Sequence, residues 1–216
     1  MQHPMRKWWA VLAMLATSAL AHAQGDVGLV NMVAGDVRFV PQAGQPGKVT
    51  AFMKVREGDR FELPAGGQVR VVYFEGARQE RWQGPSSFAA LKLQGSPIKG
   101  TPAEVTKLPL ATSTRMSRVP ELMQNAKLGG IQVRGAQASR PVQKEAVAEA
   151  RATYQALRTQ LSQDDITAEL YLFSALNDYQ LYEDMVPLVD EMKRKQPQSE
   201  DVKALGAWLA SRRGTR

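Results

Sequence analysis

Residues 60–93 read RFELPAGGQVRVVYFEGARQERWQGPSSFAALKL, and this stretch decides the fold of the first half of the chain. Apolar side chains alternate in its centre, over residues 68–74, with Val69, Val71 and Tyr73 on one face and Arg70 and Val72 on the other. Alternation with a period of two, rich in Val, Tyr and Phe, is typical of a β-strand. Residues 77–83 and 88–93 predict two more strands, separated by glycine-containing turns. We therefore expect a meander of short strands.

The same pattern extends towards the N-terminus. It predicts strands over residues 27–33, 37–40 and 49–55, and a loop over the Gly- and Pro-containing stretch 41–48. Six or seven short strands with turns every eight to twelve residues favour a small antiparallel β-sandwich or open barrel. We assign this predicted β-domain to residues 24–96.

The turns carry a resemblance to a known family. They read Gly35-Asp36-Val37, Glu57-Gly58-Asp59, Ala65-Gly66-Gly67, Glu75-Gly76 and Gly84-Pro85-Ser86-Ser87. This series, over about residues 27–94, resembles the FecR-type periplasmic β-domain, which usually has Asp-Gly where this chain has Glu75-Gly76. The resemblance implies a β-fold of the kind found in regulators of iron-citrate uptake and in many bacterial envelope proteins. It supports a fold more than a function.

Residues 1–23 have the pattern of a signal peptide. Arg6 and Lys7 precede a mostly apolar run over 8–20, and Ala21-His22-Ala23 matches the small-x-small cleavage site. The run is shorter than the ~20 residues that a membrane-spanning helix needs. We therefore expect cleavage after Ala23 and a periplasmic protein without a membrane span, the alternative being an uncleaved anchor. The chain has no Cys, so a lipoprotein is not expected.

Cleavage would also restrict the available chemistry. Both histidines, His3 and His22, lie in the predicted signal peptide, and the chain contains no Cys. Such a mature chain lacks Ser-His and Cys-His nucleophilic arrangements, thiol redox chemistry and the usual zinc, copper or haem ligands. Carboxylate chemistry or a Ser-Lys pair remain available. We expect no enzyme, with no catalytic residue, no cofactor and no metal.

Residues 97–140 are predicted to be a basic connector. Prolines and glycines over 95–118 favour a linker with little regular structure, followed by a short helix that starts near Pro120 and ends at 128–130, and then a short strand at 131–133. Residues 111–140 of this connector carry five basic residues, Arg115, Arg118, Lys127, Arg134 and Arg140. They form either a patch for an anionic partner or a solvated linker. The net charge of +7 does not by itself indicate nucleic acid, because no basic stripe alternates with aromatic residues.

The period changes to 3.6 in residues 141–216, which predicts four helices. Their apolar stripes are Ala146, Ala150, Tyr154, Leu157 and Leu161; Ala168, Leu172, Ala175, Leu176 and Tyr179; Met185, Leu188, Val189 and Met192; and Val202, Leu205, Trp208 and Leu209. Short loops between them predict an antiparallel helical array. The unit 166–199 resembles one tetratricopeptide repeat of about 34 residues. It matches at Leu172, Leu176, Tyr182 and Pro197, and departs from the repeat at Phe173 and Met185.

Three acidic pairs precede or open the predicted helices, namely Asp164-Asp165, Glu183-Asp184 and Glu200-Asp201. Negative charge at these positions stabilises the positive end of the helix dipole. Neighbouring carboxylates on a helix point about 100° apart, so each pair is a poor metal site. We interpret the pairs as helix-stabilising.

Together these features predict an α+β chain that is exported and binds an envelope protein as an adaptor or sensor accessory. The candidate contact residues are Tyr171 and Tyr182 on the helical array and Arg115 and Arg118 on the connector. The alternative is a module that binds cell-wall polymer or another polysaccharide through an exposed Trp82, although such a Trp more often caps a sheet face. No carboxylate spacing supports a third hypothesis, a hydrolase.

Overall fold

Ten strands lie in the first half of the part of the chain that the computed structural model describes, residues 25–128 and 143–214. They are β1 Asp26–Ala34, β2 Arg38–Val40, β3 Gly47–Lys48, β4 Lys54–Arg56, β5 Arg60–Leu63, β6 Gln68–Tyr73, β7 Arg78–Gln83, β8 Ser86–Ala90, β9 Gly95–Lys99 and β10 Glu104–Lys107. They form two antiparallel five-stranded sheets. The first sheet has the order β10-β7-β6-β1-β4, and the second has the order β3-β2-β5-β8-β9.

Strand β6 is buried on both faces. Its Val69, Val71 and Tyr73 belong to the apolar cluster shared by the two sheets, whereas Val72 belongs to the cluster formed with the helices. The alternation predicted from the sequence is therefore confirmed. Because helices cover the outer face of the first sheet, even the polar position Arg70 is 1% exposed.

Aromatic rings fill the space between the two sheets. Trp82 of β7 stacks on Phe88 of β8 with ring centroids 4.2 Å apart, and Phe88 stacks on Phe61 of β5 at 4.7 Å. The first ring belongs to one sheet and the other two to its partner. This stacking fixes how the sheets face each other and gives the β-half an apolar core of its own.

The predicted meander is wrong in its third strand. Strands β6 and β7 form a hairpin, but β8 pairs with β5 and β9 in the second sheet. The turn at residues 84–85 therefore carries the chain from one sheet to the other. The strand predicted over 49–55 is reduced to β4, because a turn at residues 51–52 interrupts it and only the last residues pair with β1.

The predicted linker is also wrong over residues 95–118, which contain β9, β10 and a helix. Prolines are compatible with β9 and with the entry to β10 because both are edge strands, where a missing N–H costs no ladder bond. Pro97 lies opposite Phe88, and Glu104 lies opposite Arg81. The prolines of this segment therefore mark edge strands and not a linker.

Six helices complete the described residues, and they are α1 Leu110–Met116, α2 Val119–Lys127, α3 Lys144–Gln160, α4 Thr167–Asn177, α5 Tyr182–Lys195 and α6 Glu200–Arg213. Helix α2 has Pro120 in its first turn, as predicted, and the four predicted apolar stripes lie on α3 to α6 and their flanks. Helices α3 to α6 each pack on the next one in the chain. No helix in residues 25–128 and 143–214 has the length and apolarity to cross a bilayer.

The β-half and the helices share a continuous apolar core. Helix α4 is buried along almost its whole length, from Thr167 to Leu176. One cluster joins its side chains with Leu29, Val72 and Phe74 of the β-half. The two halves are therefore docked. Several predictions lie outside the described residues: the signal segment with Ala21 and Ala23, the strand at 131–133, and Arg134 and Arg140.

The turn between the sheets gives a stability prediction. A Cβ at Gly84 would lie 1.8 Å from the backbone oxygen of Pro64, which cannot move as a side chain does. We expect Gly84→Ala to lower the free energy of unfolding by about 1–3 kcal/mol. Gly25→Ala is the matched control, because nothing lies within 4 Å of its added Cβ. Urea denaturation measures both, and equal stabilities would contradict the close approach.

Candidate partner-binding surface

A buried polar network joins the first sheet to the start of α4. Thr167 donates through its hydroxyl to Gln79 Oε1 at 2.7 Å, and Asn31 Nδ2 donates to the same oxygen at 3.0 Å. Gln79 Nε2 in turn donates to Asp165 Oδ2 at 2.5 Å, while the Thr167 backbone N–H donates to Asp165 Oδ1 at 2.8 Å. These four side chains are all at most 4% exposed. The network fixes the position of α4 on the sheet.

Arg70 is the charged member of this interface. Its guanidinium lies 2.9 Å from Asp164 Oδ2 and 3.6 Å from Asp165 Oδ2. Burial opposes ionisation of Asp164, but hydrogen bonds from Ser162 and Arg70 outweigh it and lower the pKa of this carboxyl. The alternation in β6 predicts that Arg70 faces away from Val69, Val71 and Tyr73, but it does not reveal the acidic partners of this arginine. An arginine within an apolar strand is a signal for a buried acidic partner.

A second buried ion pair lies among the helices. Lys195 Nζ is 2.8 Å from Glu169 Oε1, and both side chains are at most 1% exposed. Arg158 Nε lies 3.3 Å from the same oxygen, so two cations face this carboxylate. Lys195 also donates to the Asp165 carbonyl at 3.0 Å, which connects this pair to the interface network. The pair joins α4 to α5. The sequence predicts Lys195 only as one of the basic residues that end a helix, and it does not indicate Glu169 as its partner.

Helices α1 and α2 pack against the helical array. Helix α1 lies on α4, and α2 lies mainly on α6 and also on α4, the two helices that flank α5 in the chain. The side chains that they add to the apolar cluster of the helices are Met116, Val119, Met123 and Ala126. We call the surface of α4 and α6 that receives α2, together with Asp178 and Asp201, the α4–α6 face.

Charged pairs hold the edge of this contact. Arg115 lies 2.9 Å and Arg118 lies 2.8 Å from Asp178 Oδ2, which follows α4. Lys127 Nζ lies 2.6 Å from Asp201 Oδ1 in the first turn of α6. The acidic residues belong to the array and the basic residues to the segment that covers it. Three of the five basic residues between positions 111 and 140 are therefore engaged within the chain.

Four of the predicted contact residues lie on or beside the helices, namely Tyr171, Tyr182, Arg115 and Arg118. Tyr171 is 6% exposed and lies beneath the Arg115 guanidinium, 5.9 Å from the ring centroid. Tyr182 is half-buried, with its ring edge-on to Trp208 at 6.2 Å. Arg118 is the most accessible of the group, with 49% of its side chain exposed. Arg115 and Arg118 thus meet at Asp178, and Arg115 also covers the ring of Tyr171.

Trp82 does not lie on the surface. It is 1% exposed within the core between the sheets, and its Nε1 donates to Glu80 Oε2 at 3.1 Å. This matches the expectation that such a tryptophan serves packing. The sandwich buries it because β8, which carries Phe88, belongs to the opposite sheet.

The acidic pairs occupy the helix starts that the sequence predicts. Glu183-Asp184 and Glu200-Asp201 lie in the first turns of α5 and α6, and Asp164-Asp165 precede α4. Asp164 and Asp165 also contact Arg70, a second role that their position before a helix does not indicate. Within residues 25–128 and 143–214, no three His, Cys, Asp or Glu side chains are placed to hold a metal ion.

Glu80 makes the stability of the β-half depend on pH. Burial raises its pKa above the ordinary value of 4.5, although hydrogen bonds from Gly95 and Trp82 act in the opposite direction. Above pH 4.5 the Glu80 carboxyl is therefore protonated more often in the folded state than in the unfolded chain. This contribution to stability is fully present below that pH and is lost as the pH rises through the folded-state pKa.

We expect Glu80→Gln to remove this component. The unfolding free energy of the variant then falls less than that of the wild type as the pH rises through this window, and urea titrations between about pH 4 and 7 measure the difference. Burial also raises the pKa of Asp59. This residue is present in both proteins, so it contributes equally to the pH dependence of their stability. Parallel pH profiles would contradict the assignment to Glu80.

Comparison of the sequence and the structure with known proteins finds no similar protein. The chain matches no family model, no curated protein and no solved structure.

Proposed function

We propose that this protein is an exported, non-enzymatic adaptor or sensor accessory that binds another protein of the bacterial envelope. The observation that carries the proposal is the α4–α6 face, on which α2 lies as an amphipathic helix in this chain. A surface that receives a helix with apolar side chains spaced for one face has the geometry of helix-in-groove recognition. The packing of α2 on the α4–α6 face is therefore an example, within this chain, of the contact that a partner helix would make.

Two finer features of the fold belong to the same proposal. The β-half is a FecR-like domain by its turn residues, and helices α4 and α5 are one tetratricopeptide-like repeat, with α3 and α6 as its neighbours. Short helical repeats cannot bury their own faces and need such neighbours. Both domain types would supply surfaces rather than reactive groups. The regular structure between them, α1 and α2, then links a sheet to a recognition array.

Export is proposed from the signal-peptide pattern of residues 1–23. Intact-mass measurement of the protein recovered from a periplasmic extract tests it directly. We expect a chain that begins at Gln24. Recovery of the full-length chain in the cytoplasm would contradict both the cleavage and the proposed compartment.

The adaptor function is tested by crosslinking in the native cells. The tagged full-length protein is crosslinked in vivo, purified under denaturing conditions and identified with its attached proteins by mass spectrometry. We expect one discrete protein partner. Recovery of cell-wall material alone, or of no partner, would overturn the proposal. A wall-binding module was the alternative, but the residue that suggested it, Trp82, is buried.

A further inference from the structure

Helix α2 of the α1–α2 segment (residues 110–127) packs on the array through one face, whereas α1 packs on α4 and also contacts β6, where Ser113 Oγ donates to the Phe74 carbonyl at 2.9 Å. Val119, Met123 and Ala126 point into the core at spacings of four and three residues, while Glu121 and Asn125 are exposed on the other side. Helix α4 differs, since it is buried on every side. The segment therefore contacts the α4–α6 face as a helical ligand does, with an apolar stripe towards the array and a polar face towards water.

Charge complementarity defines the ligand further. Asp178 accepts hydrogen bonds from both Arg115 and Arg118, and Asp201 pairs with Lys127. The carboxylates of Asp178 and Asp201 are 12% and 16% exposed beneath these partners. An uncovered α4–α6 face would present two carboxylates beside an apolar strip. Its natural complement is a helix with apolar residues on one face and basic residues at both ends.

We propose that the α1–α2 segment occupies the recognition site of the array in cis, and that the external partner is a basic amphipathic helix that displaces it. The inference rests on the proposed adaptor function and adds to it the site, the chemistry of the partner and a means of regulation. A segment tethered to its own site acts at a high effective concentration, of the order of millimolar. A partner helix must therefore compete, and binding is suppressed until the segment is released.

The test uses the full-length protein and a fluorescein-labelled peptide with the sequence of residues 110–128. Replacing Arg115 and Arg118 by alanine weakens the tethered segment but leaves the α4–α6 face intact. We expect R115A/R118A to bind the labelled peptide at least about tenfold more tightly than the wild type. Adding D178A to this variant removes the carboxylate that the peptide arginines require, and we expect the gain to be lost.

A control variant removes an arginine from an exposed ion pair elsewhere on the helices. Arg151 pairs with Asp184 at 2.8 Å on the exposed surface of α3 and α5, away from the α4–α6 face. We expect R151A to bind the peptide no better than the wild type. A folded R115A/R118A protein that also binds no better would overturn the proposal and make α1–α2 a permanent part of the core.

Hydrogen exchange of the wild-type protein keeps the proposal testable if R115A/R118A fails to fold. A displaceable segment opens locally, so the amides of α2 should be at least about tenfold less protected than those of α4. Equal protection of the two helices would overturn the proposal. If crosslinking finds a partner but the peptide does not bind, the adaptor function stands and this inference fails. If the peptide binds but no cellular partner is found, this inference stands and the adaptor function fails.

Discussion

Replacing Arg70 by methionine is expected to lower the free energy of unfolding by about 3–5 kcal/mol, the cost of breaking a buried ion pair by removing one partner. Methionine is close in length to the arginine stem, so little volume is lost. The loss arises because Asp165, 1% exposed, loses the guanidinium that lies 3.6 Å away, and Asp164 loses a hydrogen bond. Urea denaturation followed by far-UV circular dichroism measures the change.

Two further variants separate this effect from a general loss of charge. Arg56→Met removes an arginine whose side chain is 58% exposed and which pairs with Asp26, so we expect a change below about 1 kcal/mol. Adding Asp165→Asn to Arg70→Met removes the unpaired charge, and the double variant should be less destabilised than the sum of the single variants. Additive effects would show that Arg70 and Asp165 do not act as a pair.

Lys195→Met is expected to have the second-largest effect, a loss of about 3 kcal/mol. It leaves Glu169 fully buried with only Arg158 to compensate its charge. Adding Glu169→Leu removes the stranded carboxylate and should recover much of the lost stability, because a buried ion pair contributes little more than apolar residues of similar size.

The control for this pair is Lys203→Met. Lys203 pairs with Glu200 on the exposed surface of α6, where the side chains are 49% and 84% exposed. Such a pair contributes little, and we expect a change below about 1 kcal/mol. A double Lys195→Met/Glu169→Leu variant less stable than Lys195→Met alone would contradict the account of Glu169 as a stranded charge.

Local patterns in the sequence predicted the elements that depend on local chemistry. The alternation in β6 gave its two faces correctly, because a period of two is a property of the strand itself. The helix stripes and the acidic helix starts were likewise correct, since each depends on neighbours within a few residues. The proline-rich segment was misread because Pro disfavours central strands but is tolerated at edges, and the sequence does not reveal which strands are edges.

Local sequence patterns could not predict which residues pair over long distances in the chain. Arg70 and Asp164 are 94 residues apart, and the Gln79–Asp165 hydrogen bond spans 86 residues. The choice of sheet for β8 depends on the stacking of Trp82 on Phe88 across the core. Likewise, Arg115 and Arg118 were predicted as surface charges because nothing near them in the chain indicates Asp178, which lies more than sixty residues beyond Arg115. Contacts of this kind follow from the tertiary packing of elements.

The central claim is that the α4–α6 face binds a partner and that the α1–α2 segment competes for it. In vivo crosslinking of the wild type, R115A/R118A and R151A, with quantitative mass spectrometry, tests it most directly. We predict that the same partner is captured by all three and that R115A/R118A captures several times more of it than the other two, because its face is more often uncovered. Equal capture by the three proteins, or loss of the partner from a folded R115A/R118A, would contradict the account.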